Sequence, residues 1–223
     1  MSLQEKLDGF KAQFKTQAPA EAFEAFGRST QELIDSGQAE RALQAGDQVP
    51  DFVLTDSDRN DVALKDLLAK GPVVLTFYRG VWCPYCNIEL QALEEVAEEI
   101  RARGATLVAI SMQGASDSRK SQKDNNLSFP ILTDKAGELA NKFGIRWTLQ
   151  DYVIPIHEAS AFICRASMVT VNGICQCLLA MLSIRTARLP TPKSTLTTLV
   201  VLSRQTCSLF STNCVPRLPH NSS

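Results

Sequence analysis

Val73-Val74-Leu75-Thr76-Phe77-Tyr78-Arg79-Gly80-Val81-Trp82-Cys83-Pro84-Tyr85-Cys86, running on into Asn87-Ile88-Glu89-Leu90-Gln91-Ala92-Leu93, is the stretch from which the rest of this chain can be read. Val73 to Tyr78 is a short apolar run rich in β-branched and aromatic residues, the pattern of a buried parallel strand. Arg79-Gly80 interrupts it. From Pro84 the apolar positions Ile88, Leu90, Leu93, Val96 and Ile100 recur at helical spacing. Pro84 suits the first turn of that helix, where its missing N–H costs nothing. Cys83 and Cys86 therefore stand where a strand hands over to a helix. Unpaired N–H groups and the positive end of the helix dipole favour a thiolate at such a junction.

Blander readings of the two cysteines exist. They could be half of a structural zinc site, but zinc takes four ligands, and His157 and His220 lack ligand spacing. They could also be two small residues that are merely buried. The order strand, break, cysteine pair, helix points instead to redox chemistry.

The chain has 223 residues and a formal net charge of −1, room for one domain with extensions and no basis for binding nucleic acid or an anionic membrane. Met1 to Lys6 is polar and carries no signal-peptide core. The longest apolar run, Ile174 to Ile184, contains Gln176 and is too short to span a bilayer. A cytoplasmic protein without a membrane segment is expected.

Apolar residues at helical spacing mark Leu3 to Gln17 and Ala20 to Ser36 as two amphipathic helices. They are expected to pack on the main domain or on another subunit, which leaves a homodimer open. Ala45 to Leu54 is a turn entering a strand, and Val62 to Leu68 starts extended and becomes a short helix. Thr106 to Ser111 is a second buried strand. Ser116 to Asn126 is a polar helix, Phe129 to Leu132 is extended, and Lys135 to Phe143 is a helix stopped by Gly144. Strands alternating with helices imply a parallel α/β sheet.

Gly46-Asp47-Gln48-Val49-Pro50-Asp51-Phe52, then Phe77-Tyr78-Arg79-Gly80 with Trp82-Cys83-Pro84-Tyr85-Cys86, then Leu107-Val108-Ala109-Ile110-Ser111 resemble a peroxiredoxin-like protein. The family is the alkyl hydroperoxide reductase/thiol-specific antioxidant branch of the thioredoxin fold. The resemblance covers about residues 1–158. It implies an α/β thioredoxin-like fold over residues 44–158, preceded by a helical extension over residues 1–43. It also implies that Cys83 is the peroxidatic cysteine and Cys86 the natural resolving candidate. A thiolate attacks the O–O bond of a hydroperoxide and becomes a sulfenic acid, and a second thiol then closes a disulfide. A dithiol reductant such as thioredoxin, or glutathione, would reset the pair, and no cofactor or metal is called for. Arg79 could bring positive charge to the thiolate or be a solvated loop residue. Tyr78, Trp82 and Tyr85 read as pocket walls; Tyr78, Arg79 and Trp82 are the expected substrate-binding residues.

The chain departs from this family in two places. Typical members carry Pro-x-x-x-Thr/Ser-x-x-Cys, with the hydroxyl orienting the peroxide; here those positions are Thr76 and Gly80. Cys-Pro-Tyr-Cys also resembles a glutaredoxin site, so a dithiol–disulfide oxidoreductase is the alternative function. The second departure is the tail. All 24 acidic residues and 17 of the 23 basic ones fall within residues 1–158, whereas the last 65 residues hold six basic residues and no acid. Cys164, Cys175, Cys177, Cys207 and Cys214 also lie there. Soluble domains ordinarily mix both charges. In the frame that starts at each codon's third base, Ala159 to Thr186 can be read as ERIYLPSFNGDGKWHLPMPARYVIDTDG, and Thr197 to Val215 as DYTRRPEPADLLAILDQLR. Both look like the strand and closing helix that the family would place here. Residues 159–223 are therefore expected to be a frameshifted, non-native or disordered tail whose cysteines have no role. PARYVID resembles the strand whose arginine supports the peroxidatic thiolate, so the chain is expected to lack that arginine. It is also expected to leave a sheet edge open, to fold poorly and to be a weak peroxidase; an inactive product of a damaged gene is the remaining alternative.

Overall fold

The computed structural model describes residues 1–44 and 46–157 in full, the backbone to residue 159, and the backbone of four strands farther along. Helix α1 (Leu3–Gln17) begins at a capping box: the Ser2 hydroxyl accepts from the Glu5 N–H, and the Glu5 carboxylate accepts from the Ser2 N–H. Helix α2 spans Ala20–Asp35 and a short α3 spans Gln38–Arg41. A hairpin, β1 (Val53–Thr55) and β2 (Asp61–Ala63), leads into α4 (Leu64–Leu68). Then come β3 (Val73–Phe77), α5 (Pro84–Ala102), β4 (Thr106–Ser111), α6 (Ala115–Asp124), β5 (Ile131–Thr133), α7 (Glu138–Lys142), β6 (Arg146–Thr148) and α8 (Ile154–Ala159).

Strands β5, β4 and β3 lie side by side and parallel, as the alternation of strands and helices predicts. The sheet as a whole is mixed, because β1 pairs antiparallel with both β2 and β5. Every residue of β3 is buried, so the strand is covered on both faces. Its period of two divides the core. Val73, Leu75 and Phe77 pack with Val108, Ile110, Leu132 and Phe143 on one face. Val74 and Tyr78 join Leu107, Ala109 and Ile131 on the other, under the α5 residues Leu90, Leu93, Ala97 and Ile100. Burying each of the three large aliphatic side chains of α5 is worth about 1.5–3 kcal/mol, which fixes α5 on the sheet and its first turn at the end of β3.

The N-terminal helices pack within the chain. Leu3 and Leu7 of α1 are buried against Tyr85, Ile88 and Ala92 of α5. Phe26 of α2 packs with Leu149, Val153 and Trp82. The Ser29 hydroxyl donates to Gln150 at 2.8 Å, and the Tyr152 hydroxyl donates to Glu32 at 3.0 Å.

Four strands are described beyond residue 159: β7 (Thr170–Val171), β8 (Ile174–Leu178), β9 (Ile184–Arg188) and β10 (Thr198–Val201). Strand β8 pairs antiparallel with β6 and β7, and β10 pairs antiparallel with β9 and parallel with β3. The edge of β3 that the sequence reading leaves open is thus occupied. Thr198-Leu199-Val200-Val201 has the β-branched, apolar composition that such a place selects. The rest of the tail, where disorder was expected, lies outside the described residues. Among the described residues no helix is long and apolar enough to cross a membrane. The architecture is a thioredoxin-like α/β fold, with a cysteine-bearing helix leaving the end of its central strand.

Candidate active site

Cys83 is the N-cap of α5, and Pro84 occupies the first turn. An N-cap side chain normally accepts from a free N–H of that turn, and here sulfur takes the place of the usual oxygen: the Cys86 N–H points at Cys83 Sγ over 3.4 Å. The second contact is a cation. Arg79 Nη2 donates to the same sulfur at 3.0 Å. Cys83 is fully buried at 0% exposure. Burial alone pushes a thiol up, and it is the largest influence. It is outweighed by the Cys86 thiol donating to the sulfur, the Arg79 charge and the Cys86 N–H, which together bring Cys83 down to about 5. Cys86, one turn on, is pushed the other way: burial and the adjacent Cys83 sulfur hold its proton on well above the ordinary thiol range. The pair therefore divides into an ionised sulfur and a protonated one.

Arg79 and Trp82 are half-buried and lie together, with the guanidinium carbon 5.5 Å from the Trp82 ring centre. Tyr78 is buried in the same apolar cluster as Cys83 and Cys86. Its hydroxyl is occupied, accepting from Gln113 Nε2 at 2.5 Å, and burial holds its proton on. Tyr85 stands edge-on to Phe10 of α1, ring centres 4.8 Å apart. The structure thus brings Arg79, Trp82, Cys83 and Cys86 together and sets Tyr78 behind them as a wall.

Gly80 explains the missing hydroxyl. It has φ of +157°, and a Cβ built on it would lie 2.6 Å from Trp82 Nε1 and 3.3 Å from Gln113 Oε1. A threonine or serine at this position has neither the backbone conformation nor the space.

Gln113, Asn87 and His157 also stand at the site, and the sequence reading assigned none of them a role there. Gln113, 1% exposed, accepts from the Val81 N–H at 2.8 Å, and its Nε2 also reaches Ser121 Oγ at 3.1 Å. Asn87 Nδ2 donates to the Val81 carbonyl at 2.9 Å. His157 lies edge-on to Trp82 and Phe26, ring centres 5.9 and 4.9 Å away. Burial first and the Arg79 charge second lower its pKa to about 4, so it is neutral at neutral pH. These residues come from α5, α8 and the segment between β4 and α6. Only Gln113 offered a clue, as a polar residue just past the carboxyl end of a buried strand, where sites of α/β sheets gather.

The sequence pattern of the AhpC/TSA family matches residues 45–171, a span that holds Arg79, Cys83, Cys86 and Gln113. A candidate peroxiredoxin of Mycobacterium tuberculosis is 31% identical over 118 residues, covering 53% of this chain and 77% of that protein. The thiol-disulfide oxidoreductase ResA of Bacillus thuringiensis is 31% identical over 107 residues, 48% of this chain and 61% of ResA, so the chain spans less than two thirds of that relative. Among solved structures, peroxidoxin BcpB of Mycobacterium tuberculosis shares 33% identity, with a TM-score of 0.46 over 48% of this chain and 70% of the other.

Proposed function

The chain belongs to the AhpC/TSA family, and on that premise we propose that it is a thiol-dependent peroxidase with Cys83 as the attacking sulfur and Cys86 as the resolving one. The observation that supports this most is the Arg79 guanidinium 3.0 Å from a sulfur that also caps α5. The Cys83 thiolate attacks the distal oxygen of a hydroperoxide. The O–O bond breaks, Cys83 becomes a sulfenic acid, and water or an alcohol leaves after taking up a proton. Arg79 stabilises the thiolate and the negative charge that develops on the peroxide oxygens. Cys86 then gives up its proton, its sulfur attacks Cys83 Sγ, and water departs as the disulfide forms. A dithiol such as thioredoxin, or glutathione, supplies the two electrons that restore both thiols. That reset belongs to a reducing compartment, the cytoplasm in our reading. Because Cys83 is buried, peroxide gains the sulfur only as the side chains packed on it shift outward. Tyr78 and Trp82 shape the space rather than exchange protons.

One observation favours a second reading. The partition into a low-pKa first cysteine and a high-pKa second one within Cys-Pro-Tyr-Cys equally suits a dithiol–disulfide oxidoreductase, the activity in the name of the ResA relative. Stopped-flow mixing of the reduced protein with hydrogen peroxide separates the two. For the peroxidase, Cys86→Ser still consumes one equivalent of peroxide and accumulates Cys83 sulfenic acid, while Cys83→Ser consumes none. For the oxidoreductase, both variants are inert to peroxide, and Cys83→Ser loses reduction of a protein disulfide.

For residues 159–223 we propose the out-of-frame origin described above. What supports it is the abrupt loss of acidic residues after Glu158, together with the family-like segments in the neighbouring frame.

A further inference from the structure

Residues 79–82 form the middle of the six-residue segment between β3 and α5, and Val81 is midway between Arg79 and Cys83. The last sheet bond before them is the Tyr78 N–H to the Ile110 carbonyl, and a backbone bond from the Cys83 N–H to the Gly80 carbonyl closes the turn itself. Both polar groups of Val81 are taken by side chains from elsewhere. Its N–H donates to Gln113 Oε1 from beyond β4, and its carbonyl accepts from Asn87 Nδ2 of α5. Each clamp is itself anchored. Gln113 Nε2 donates to Tyr78 and Ser121. Asn87 Oδ1 accepts from Asn125, which in turn accepts from Gln91. The Val81 N–H leaves the Gln113 amide one orientation, oxygen toward the loop. Next to this clamped unit is Gly80, the softest hinge in the segment.

We propose that Gln113, with Asn87 as its counterpart, is a positioning residue that holds the 79–82 loop so that the Arg79 guanidinium stays on the Cys83 sulfur. This rests on the reading of Cys83 as the reacting thiolate. Neither amide touches the sulfur, and each acts through the backbone between Arg79 and Cys83. Among the described residues, the titratable groups that bear on that sulfur include Arg79 from the loop, Cys86 from α5, Tyr78 just past the end of β3 and, beyond Arg79, His157 from α8. Gln113 and Asn87 add no charge to this set, so they move the thiol only by moving Arg79. An opposite charge acts on a titrating group within about 4–6 Å and shifts it by about 1–3 units, so letting the guanidinium swing away raises Cys83 by about one unit.

The test follows thiolate absorbance against pH in the full chain, with Cys83→Ser as the blank, for wild type, Gln113→Leu, Asn87→Ala and Gln38→Leu. Gln38 is the matched control: a buried glutamine whose amide donates to the Gly144 and Arg146 carbonyls, away from the loop. The expected result is a midpoint about one unit higher in Gln113→Leu and Asn87→Ala, with a parallel shift in the pH profile of peroxide consumption, and a wild-type midpoint in Gln38→Leu. If Gln113→Leu does not fold, Asn87→Ala decides. Low, wild-type midpoints in Gln113→Leu and Asn87→Ala overturn the positioning role and leave the peroxidase reading standing. A wild-type protein that itself titrates like free cysteine overturns both.

Discussion

Replacing Arg79 by leucine removes a full charge in contact with Cys83 and tests its electrostatic effect on the sulfur. Two unit charges at the observed 3.0 Å interact by ~5 kcal/mol at an effective dielectric of 20. That figure is an upper bound, because Arg79 is half-exposed and water screens it. A charge-assisted hydrogen bond, about 1.5–3 kcal/mol, is the better measure. At about 1.4 kcal/mol per unit it corresponds to a rise of about one to two pKa units in Cys83. The sign follows directly: losing the cation destabilises the thiolate, so ionisation moves to higher pH. Starting from about 5, the thiolate fraction near neutrality falls by no more than about two-fold, whereas at about pH 5.5 it falls by about 3- to 25-fold. The assay is the second-order rate of Cys83 oxidation by hydrogen peroxide, by stopped flow from about pH 4.5 to about pH 8.5. If Arg79 also steadies charge on the peroxide oxygens, the alkaline plateau drops as well, and the profile separates this loss from the shift in midpoint. Arg79→Lys keeps the charge without the planar fork and recovers part of the shift. A midpoint in Arg79→Leu indistinguishable from wild type would refute the reasoning.

Gly80→Ser, which supplies the family's hydroxyl, is expected to lower both activity and melting temperature, because its Cβ would sit 2.6 Å from Trp82 Nε1 in a left-handed conformation; the cost is about 1–3 kcal/mol, read by thermal unfolding. Cys83 also makes stability depend on pH. Its folded pKa of about 5 is below the unfolded value of about 8.5, so its contribution is present above the unfolded value and is lost as pH falls toward about 5. The reduced wild type should therefore gain melting temperature over Cys83→Ser between those limits, and a constant difference would contradict the assignment. DNA sequenced across codons 150–165 should show one base missing from the frame that encodes PARYVID, and the restored protein should be more soluble and more active than this chain. An intact frame in genome and transcripts would remove that account of the tail.

The junction between β3 and α5 was legible because two local signals coincide there. An apolar run shifts to helical spacing, and Pro84 and the two cysteines mark the boundary. The N-terminal helices were legible for the same reason, and their bounds agree with the periodicity to within a residue. The sheet was legible only in its centre. That β1 runs antiparallel to β5 depends on a pairing across most of the domain, and Thr55 opposite Thr133 carries no sign of it. Helix α6 is polar in sequence, yet Ser118 and Ser121 are fully buried, because small side chains fit against the sheet and the Ser121 hydroxyl accepts from Gln113 Nε2. The site divides in the same way. Arg79 and Cys83 are neighbours through one turn of chain and could be paired from the sequence, and Asn87 is one helical turn past Cys83 though nothing in the pattern marks its bond to Val81, whereas Gln113 and His157 meet them only through the fold. The tail was read from its missing acids. The described strand β10 adds something the sequence reading did not foresee, a partner for the edge of β3.

The most direct test of the central claim is the ionisation and oxidation of one sulfur. Reduced protein, with and without the Cys83→Ser change, is mixed with hydrogen peroxide across pH, and Cys83 is followed by stopped flow and by mass spectrometry of the trapped product. The account predicts rapid oxidation of Cys83 that is already near its plateau at neutral pH, passing through sulfenic acid to a Cys83–Cys86 disulfide. A Cys83 that stays reduced under peroxide, or reacts only as pH approaches the ordinary thiol range, would contradict it.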